Sequence, residues 1–326
     1  MSPVLRAVSP GPHVTIQDAG RHERRRYGVS RSGAMDLPAM SLANILVGNP
    51  PHAPALEFAQ IGGIWEVAAD SCRIAVTGGD FAVLVDGVAL AAWRTHTLRR
   101  GQRFSIRNAP DAVWGYIAVA QGFQVAQQLG SCSTHLRSHL GGINGQVIAV
   151  EDEIPLASDR APPGPERRVQ PPRRATGPLR VVLGPQDDWF TADSVAAFLA
   201  STYRVTHRGD RMGVWLDGPP IAHAAGFNVL SDGVVPGAIQ VPGTGQPVVL
   251  LMDCQTVGGY PKLATVITVD LPRLTQSRPD SCLSFAAIEV DAAHRLYRAY
   301  HQVLGEIGRG VEDIPDPEAR PFWLRS

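Results

Sequence analysis

The sequence predicts a mainly β protein with a few helices, divided into two domains. Three observations lead there. The chain has 326 residues, more than one ordinary domain holds. Its 33 glycines and 27 prolines break it into short apolar runs, which suits strands and turns better than a helical bundle. Residues 161–178 carry six prolines and four arginines with almost nothing apolar, which marks a stiff linker or exposed loop between two halves. The expected division is a β domain over 1–157, a Pro/Arg-rich linker or loop over 158–178, and a second β domain over 179–326 that ends in a helix and a tail.

In the first half, residues 73–77, 81–85 and 116–120 read as strands, and Asp86-Gly87 as a hairpin turn after the second of these. Asp36 can cap a helix running to about Val47, with Pro38 tolerated in its first turn and Gly48 just past its end. In the second half, residues 179–183, 247–251 and 264–269 read as strands and residues 190–200 as a helix. From about Asp291 a last helix carries an apolar stripe of Ala293, Leu296, Tyr297, Tyr300, Leu304 and Ile307, a packing face. The Pro-rich tail from Ile314 is expected to be ordered only by contact, through Trp323.

Composition excludes several function classes. The formal net charge is zero, so the basic surplus of a nucleic-acid binder is missing. No run reaches the length of a membrane span, and the first residues lack the apolar segment of a signal peptide, which makes cytoplasm the expected compartment. Cys72, Cys132, Cys254 and Cys282 are scattered and read as reduced thiols. Cys132, His135 and His139 lie close together, but no fourth ligand is visible and no metal is predicted. Lys262 is the sole lysine; every other basic residue is arginine. A phosphate loop closed by Gly-Lys-Ser/Thr is therefore absent, and Lys262 has no flanking methionine of the kind a biotin carrier shows. A lone lysine in an arginine-biased chain either survives by chance or stays where a compact ammonium is needed.

Two polar clusters exceed what a core requires. The first runs Gln17-Asp18-Ala19-Gly20-Arg21, then Arg26-Tyr27-Gly28 and Ser32-Gly33-Ala34-Met35-Asp36. Asp18 and Arg21 read equally as a salt bridge or as ligand contacts, and Arg26, Tyr27 and Ser32 as candidate substrate contacts. Glu57 is a charge within an apolar strand and needs a partner if buried. The second cluster places Gln240 before a strand, and Asp253, Gln255, Thr256, Gly258, Gly259, Tyr260 and Lys262 after it. Neutral donors, one ammonium and glycine-rich backbone can bind an amide or a carboxylate and stabilise an oxyanion. Tight turns alone also explain the glycines.

These motifs resemble the allophanate hydrolase subunit 2 family. The resemblance rests on Gln17-Asp18-Ala19-Gly20-Arg21, Tyr27-Gly28-Val29, Ser32-Gly33-Ala34-Met35-Asp36, Leu42-Ala43-Asn44, Val47-Gly48-Asn49, Ala55-Leu56-Glu57, Thr77-Gly78-Gly79-Asp80-Phe81, and Leu129-Gly130-Ser131 with Ser133-Thr134. In the second half it rests on Asp210-Arg211-Met212-Gly213, on the run from Val234 to Pro242, and on Gln255-Thr256-Val257-Gly258-Gly259-Tyr260-Pro261-Lys262. It runs in order from about residue 4 to residue 285. Cys254 departs from the pattern, where a larger polar or basic residue is common, as do Val257 for Thr and Ala19 for Leu.

The resemblance implies two cyclophilin-like β-barrel domains and a partner of the subunit 1 type, like the B component of 5-oxoprolinase. It implies a hydrolase that opens a cyclic amide C–N bond with ATP, 5-oxoproline giving glutamate, together with a third oxoprolinase component. On that reading Lys262 and Gln255 stabilise charge at the lactam oxygen, Asp18 (or Asp253) orients water, and Arg21, Arg26 or the partner meets phosphate. The remaining substrate contacts are Tyr27, Ser32, Gln240, Thr256, Gly258, Gly259 and Tyr260. The same family implies a first alternative, carboxyl transfer from carboxybiotin to urea or a related amine, in which biotin arrives on a separate carrier. A second alternative is a regulatory binding subunit without chemistry of its own. No nucleic-acid or membrane partner is expected.

Overall fold

Short apolar stretches become strands wherever their alternate side chains can share a core. In the computed structural model, which describes residues 2–315, two sheets of the first unit do this. The six-stranded sheet runs Glu153–Pro155, Val4–Pro10, Gly63–Val67, Arg103–Ile106, Val83–Val85 and Val88–Leu90. The five-stranded sheet runs Val14–Gln17, Ala55–Ala59, Trp114–Val119, Ser71–Thr77 and Thr95–Arg99. Leu5, Trp65, Val83 and Phe104 from one and Ile16, Phe58, Ile74 and Ile117 from the other fill one core. The Trp114–Val119 strand is buried on both faces, because helix α1 (Leu37–Leu46) packs over it and over Ser71–Thr77.

The local signals at the end of α1 and at the hairpin act as expected. Gly48 takes a φ of +84° and donates its N–H to the Ile45 carbonyl, ending α1 where a side chain would be strained. Asp86 and Gly87 both take positive φ and join Val83–Val85 to Val88–Leu90, as a two-residue hairpin requires. Glu57 is fully buried and accepts a hydrogen bond from the Tyr116 hydroxyl at 2.8 Å.

The second unit is a closed seven-stranded barrel. Its order is Leu179–Leu183, Lys262–Val266, Ala238–Gln240, Val248–Leu250, Gly213–Asp217, Thr202–Gly209 and Cys282–Ala287, and the last strand pairs in parallel with the first. Helix α2 (Ala192–Ala200) starts two residues later than expected, because the Thr191 hydroxyl caps it by accepting from the Ser194 N–H. Phe198 of α2 stacks on Phe285 with ring centroids 4.7 Å apart. The strand expected over 264–269 stops at Val266. There a 3-10 turn over Thr268–Asp270 leads into a short helix, α3 (Leu271–Thr275), and Asp270 turns inward to Arg180. Helix α4 (Val290–Glu306) forms where its apolar stripe predicts, although none of its side chains is fully buried.

The units do not follow the sequence halves. The first takes Met1–Ala19, Leu37–Pro172 and Glu306–Ser326; the second takes Gly20–Asp36 and Arg173–Gly305. Gly20–Asp36, read from the sequence as part of the N-terminal domain, thus groups with the barrel. The Pro/Arg-rich stretch is divided likewise. Arg167–Arg168 pairs with Glu312–Asp313, and the Glu166 carboxylate accepts from the Thr97 N–H, so its first part is fastened to the first unit. Ile314 donates its N–H to the Glu166 carbonyl, and Trp323 lies outside the described residues. No helix among the described residues is long and apolar enough to cross a membrane.

Candidate functional site

Lys262 opens a barrel strand and lies opposite Gln240 of the neighbouring strand, at an irregularity in their pairing. That position buries its stem, leaving the residue 3% exposed. A buried ammonium needs acceptors. It finds the Asp232 carboxylate, Oδ2 at 2.5 Å, and the Gly233 carbonyl at 3.0 Å. Both belong to a small ribbon, Asp232–Gly233 paired with Val257–Gly258, a sheet separate from the barrel. Gln186 ties the arrangement together. Its Oε1 accepts from the Lys262 N–H at 3.0 Å, and its Nε2 donates to Asp232 Oδ2 at 3.2 Å. The Lys262 ammonium, the Gly233 N–H and Gln186 hold the Asp232 carboxyl below the usual carboxylate range.

Gln240 is buried beneath this ribbon and donates to the Tyr260 carbonyl at 3.3 Å. Gly258 lies so close over it that a Cβ there would stand 2.5 Å from Gln240 Nε2. Glycine here serves close approach. The Gly259 and Thr256 carbonyls accept from the N–H groups of Val229 and Val234. Gln255 and Thr256 are half-buried, and Tyr260 is exposed.

The segment Gly20–Asp36 runs beside the chain that precedes the ribbon. Ser30 Oγ donates to the Cys254 carbonyl at 2.8 Å, and the Ser32 N–H to the Met252 carbonyl at 3.1 Å. Ser32 itself is buried with a positive φ of +54°, and its hydroxyl meets no partner among the described residues. Arg25, which sequence reasoning passed over, reaches in. Its Nη2 donates to the carbonyls of Gln255, at 2.8 Å, and Val234. Arg26 stays at the surface, its guanidinium 4.9 Å from the ring centroid of the exposed Tyr27. Arg21 is fully buried and donates its N–H to the Arg31 carbonyl at 2.6 Å. Nothing in the run Arg24-Arg25-Arg26 signals which arginine turns inward. Asp232 and Gln186 were also missed, since they lie far from Lys262 in sequence.

Two aspartates offered as bases have other occupations. Asp253 is buried and gripped at both oxygens by Arg211, at 2.9 and 3.0 Å; Arg211 also donates to the Gly33 carbonyl at 2.7 Å. Asp18 belongs to the first unit, whereas Lys262 and Gln255 belong to the second. The Ser131 and Ser133 hydroxyls and the Cys132 N–H each donate to the Asp18 carboxylate at 2.6 Å. The Cys132 thiol faces the Val125 carbonyl and His139 faces Gln146. Among the described residues no three His, Cys, Asp or Glu side chains gather as a metal site.

The arrangement in the second unit can hold an amide or a carboxylate. A lysine ammonium has three N–H groups, and two are taken by the ribbon. Its burial strengthens any charge interaction it makes.

Comparison with known proteins places the chain among relatives. The model of a family described as carboxyltransferase domain, subdomain A and B, matches residues 27–287. The 5-oxoprolinase C subunit of Escherichia coli is 35% identical over 274 residues, 84% of this chain and 87% of that protein. Its namesake from Haemophilus influenzae is 34% identical over 301 residues, 92% of this chain and 96% of that protein. The crystal structure of urea amidolyase from K. lactis superposes with a TM-score of 0.86 at 25% identity. The match covers 94% of this chain and 20% of that one, so the chain spans about a fifth of that protein.

Proposed function

The chain belongs to the family of carboxyltransferase domains, subdomains A and B, and from that premise we propose that it is a subunit of an ATP-dependent lactam hydrolase of the 5-oxoprolinase type. The observation that carries the reading is its near end-to-end correspondence with two proteins named as the C subunit of 5-oxoprolinase. In the proposed reaction the lactam oxygen takes the terminal phosphoryl group of ATP. Water adds to the ring carbon, the C–N bond breaks, and the nitrogen takes a proton. A second water releases phosphate, so ADP, phosphate and glutamate leave.

In this reading the Lys262 ammonium and the Gln240 amide face the polar part of the substrate, with Gln255, Thr256 and the backbone of Gly258, Gly259 and Tyr260 around them. A buried donor of this kind stabilises charge that develops on oxygen. Of the two arginines offered for phosphate, Arg26 is exposed and Arg21 fully buried, so Arg26 and a subunit 1-type partner take that part. Carboxyl transfer from carrier-borne carboxybiotin to an amine is the second reading. The match to K. lactis urea amidolyase favours it.

The test is ATP-dependent release of glutamate from 5-oxoproline. This chain is co-expressed with the neighbouring subunit 1-type protein and the third oxoprolinase component. Turnover is expected, and Lys262→Ala should lower kcat by about 100- to 1,000-fold, the usual cost of losing one oxyanion donor. No turnover beside an active control assembly would refute the hydrolase and favour carboxyl transfer. Full turnover by a folded Lys262→Ala would keep the reaction and remove Lys262 from it.

A further inference from the structure

We propose that Asp232 occupies the place of a substrate carboxylate at Lys262, and that Lys262 selects acidic lactams by exchanging one carboxylate for the other. The inference rests on the lactam-hydrolase reading and narrows its substrate class.

Among the second unit's ion pairs with a buried member, three are built differently. Arg211–Asp253 is buried at both ends, 3% and 7% exposed, and doubly bonded. In Arg180–Asp270 the carboxylate is the buried end, and it takes two guanidinium bonds and the Arg180 N–H. Lys262–Asp232 reverses the pattern. The cation is buried at 3%, the carboxylate is 56% exposed, and the contact is to the single oxygen Oδ2. A guanidinium fork commits its partner to one geometry, whereas an ammonium is a point charge that takes any anion arriving at the same place. Lys262 is fixed in the barrel wall, and Asp232 sits on a ribbon of two residues per strand outside the barrel. Of the two partners, Asp232 is the one that can move.

Its departure would leave a seat of defined chemistry. Asp232 Oδ2 receives both the Lys262 ammonium and Gln186 Nε2. The Gln186 amide cannot turn over without cost, because its Oε1 is held by the Lys262 N–H. Two donors therefore converge on one carboxylate oxygen. An incoming carboxylate inherits both with a charge-assisted bond, and a neutral lactam or urea offers only a weaker carbonyl oxygen.

The sole lysine makes the test direct. The full chain, grown by itself on lysine labelled with 15N at Nζ and combined with unlabelled subunit 1-type partner, has one lysine side-chain ammonium signal. Adding 5-oxoproline should move that signal, and 2-pyrrolidinone, the same ring without a carboxylate to displace Asp232, should move it clearly less. Asp232→Asn keeps the size of an exposed side chain and removes the competing charge. It should tighten 5-oxoproline binding by about threefold or more, since the competitor's occupancy is a tax on apparent affinity, and leave 2-pyrrolidinone binding unchanged. A Lys262 signal indifferent to bound 5-oxoproline, or a folded Asp232→Asn chain that binds 5-oxoproline no better, overturns the proposal. Turnover of 5-oxoproline with either result would leave the hydrolase reading standing. A signal that moves with 5-oxoproline in an assembly without turnover would refute the hydrolase reading and support the carboxylate seat.

Discussion

Replacing Asp253 by Asn tests whether this aspartate is a structural counter-ion or a base. Asp253 and Arg211 are 7% and 3% exposed and share two hydrogen bonds, and the Arg211 Nη2 also holds the Gly33 carbonyl. Asn presents one acceptor oxygen where two were, and it takes away the negative charge that the buried Arg211 guanidinium grips at both oxygens. Breaking a buried pair on one side costs about 3–5 kcal/mol. A typical domain has about 5–15 kcal/mol of stability in all, so the second unit should be close to failing. Arg211→Met with Asp253→Leu removes both charges and should recover most of the loss, because two matched apolar side chains replace a pair whose attraction offset its own desolvation. A single melting temperature is a poor readout for a chain of two units. Amide hydrogen exchange in peptides covering residues 29–36 and 248–254 reads the affected region itself. Faster exchange there in Asp253→Asn, largely restored in the double variant, is expected. A single variant that loses less than about 1 kcal/mol would refute the structural assignment, as that cost is too small for breaking a buried pair on one side. A base at Asp253 predicts the opposite pattern: single and double variants equally folded and equally inactive.

Two other predictions concern the barrel. Gly237 has a φ of +93°, and a Cβ there would stand 2.5 Å from the Val266 carbonyl oxygen, so Gly237→Ala should cost about 1–3 kcal/mol from backbone strain alone, more with the clash. Chemical denaturation of the variant checks this, and an unchanged midpoint would contradict it. Burial by itself would raise the Asp270 carboxyl, but the side-chain and backbone bonds from Arg180 outweigh it and the net shift is downward. A carboxyl lowered on folding adds stability that is fully present above its unfolded value, near pH 4 by the usual reference for Asp, and that is lost as pH falls through the folded value. The stability of Asp270→Asn should therefore fall less steeply than that of the native chain from pH 4 downward, measured by denaturation at each pH. Parallel curves would show that Asp270 is not the group responsible.

Local chemistry determined what the sequence by itself could show. Gly48 after α1 and Asp86-Gly87 between two strands are signals held within a few residues, so both were legible. The apolar stripe of α4 and the runs at 73–77 and 179–183 were legible for the same reason: helical and strand periods are written along the chain. Lys262 stood out by count alone. Tertiary structure decided which charges meet. Asp232 reaches Lys262 from 30 residues away, Arg211 reaches Asp253 from 42, and Arg25 reaches the Gln255 carbonyl from 230. It also decided that Gly20–Asp36 belongs with the barrel. No periodicity encodes such pairings. They follow from the need of each buried charge and backbone group for a partner, and only the closed barrel settles which partner is within reach.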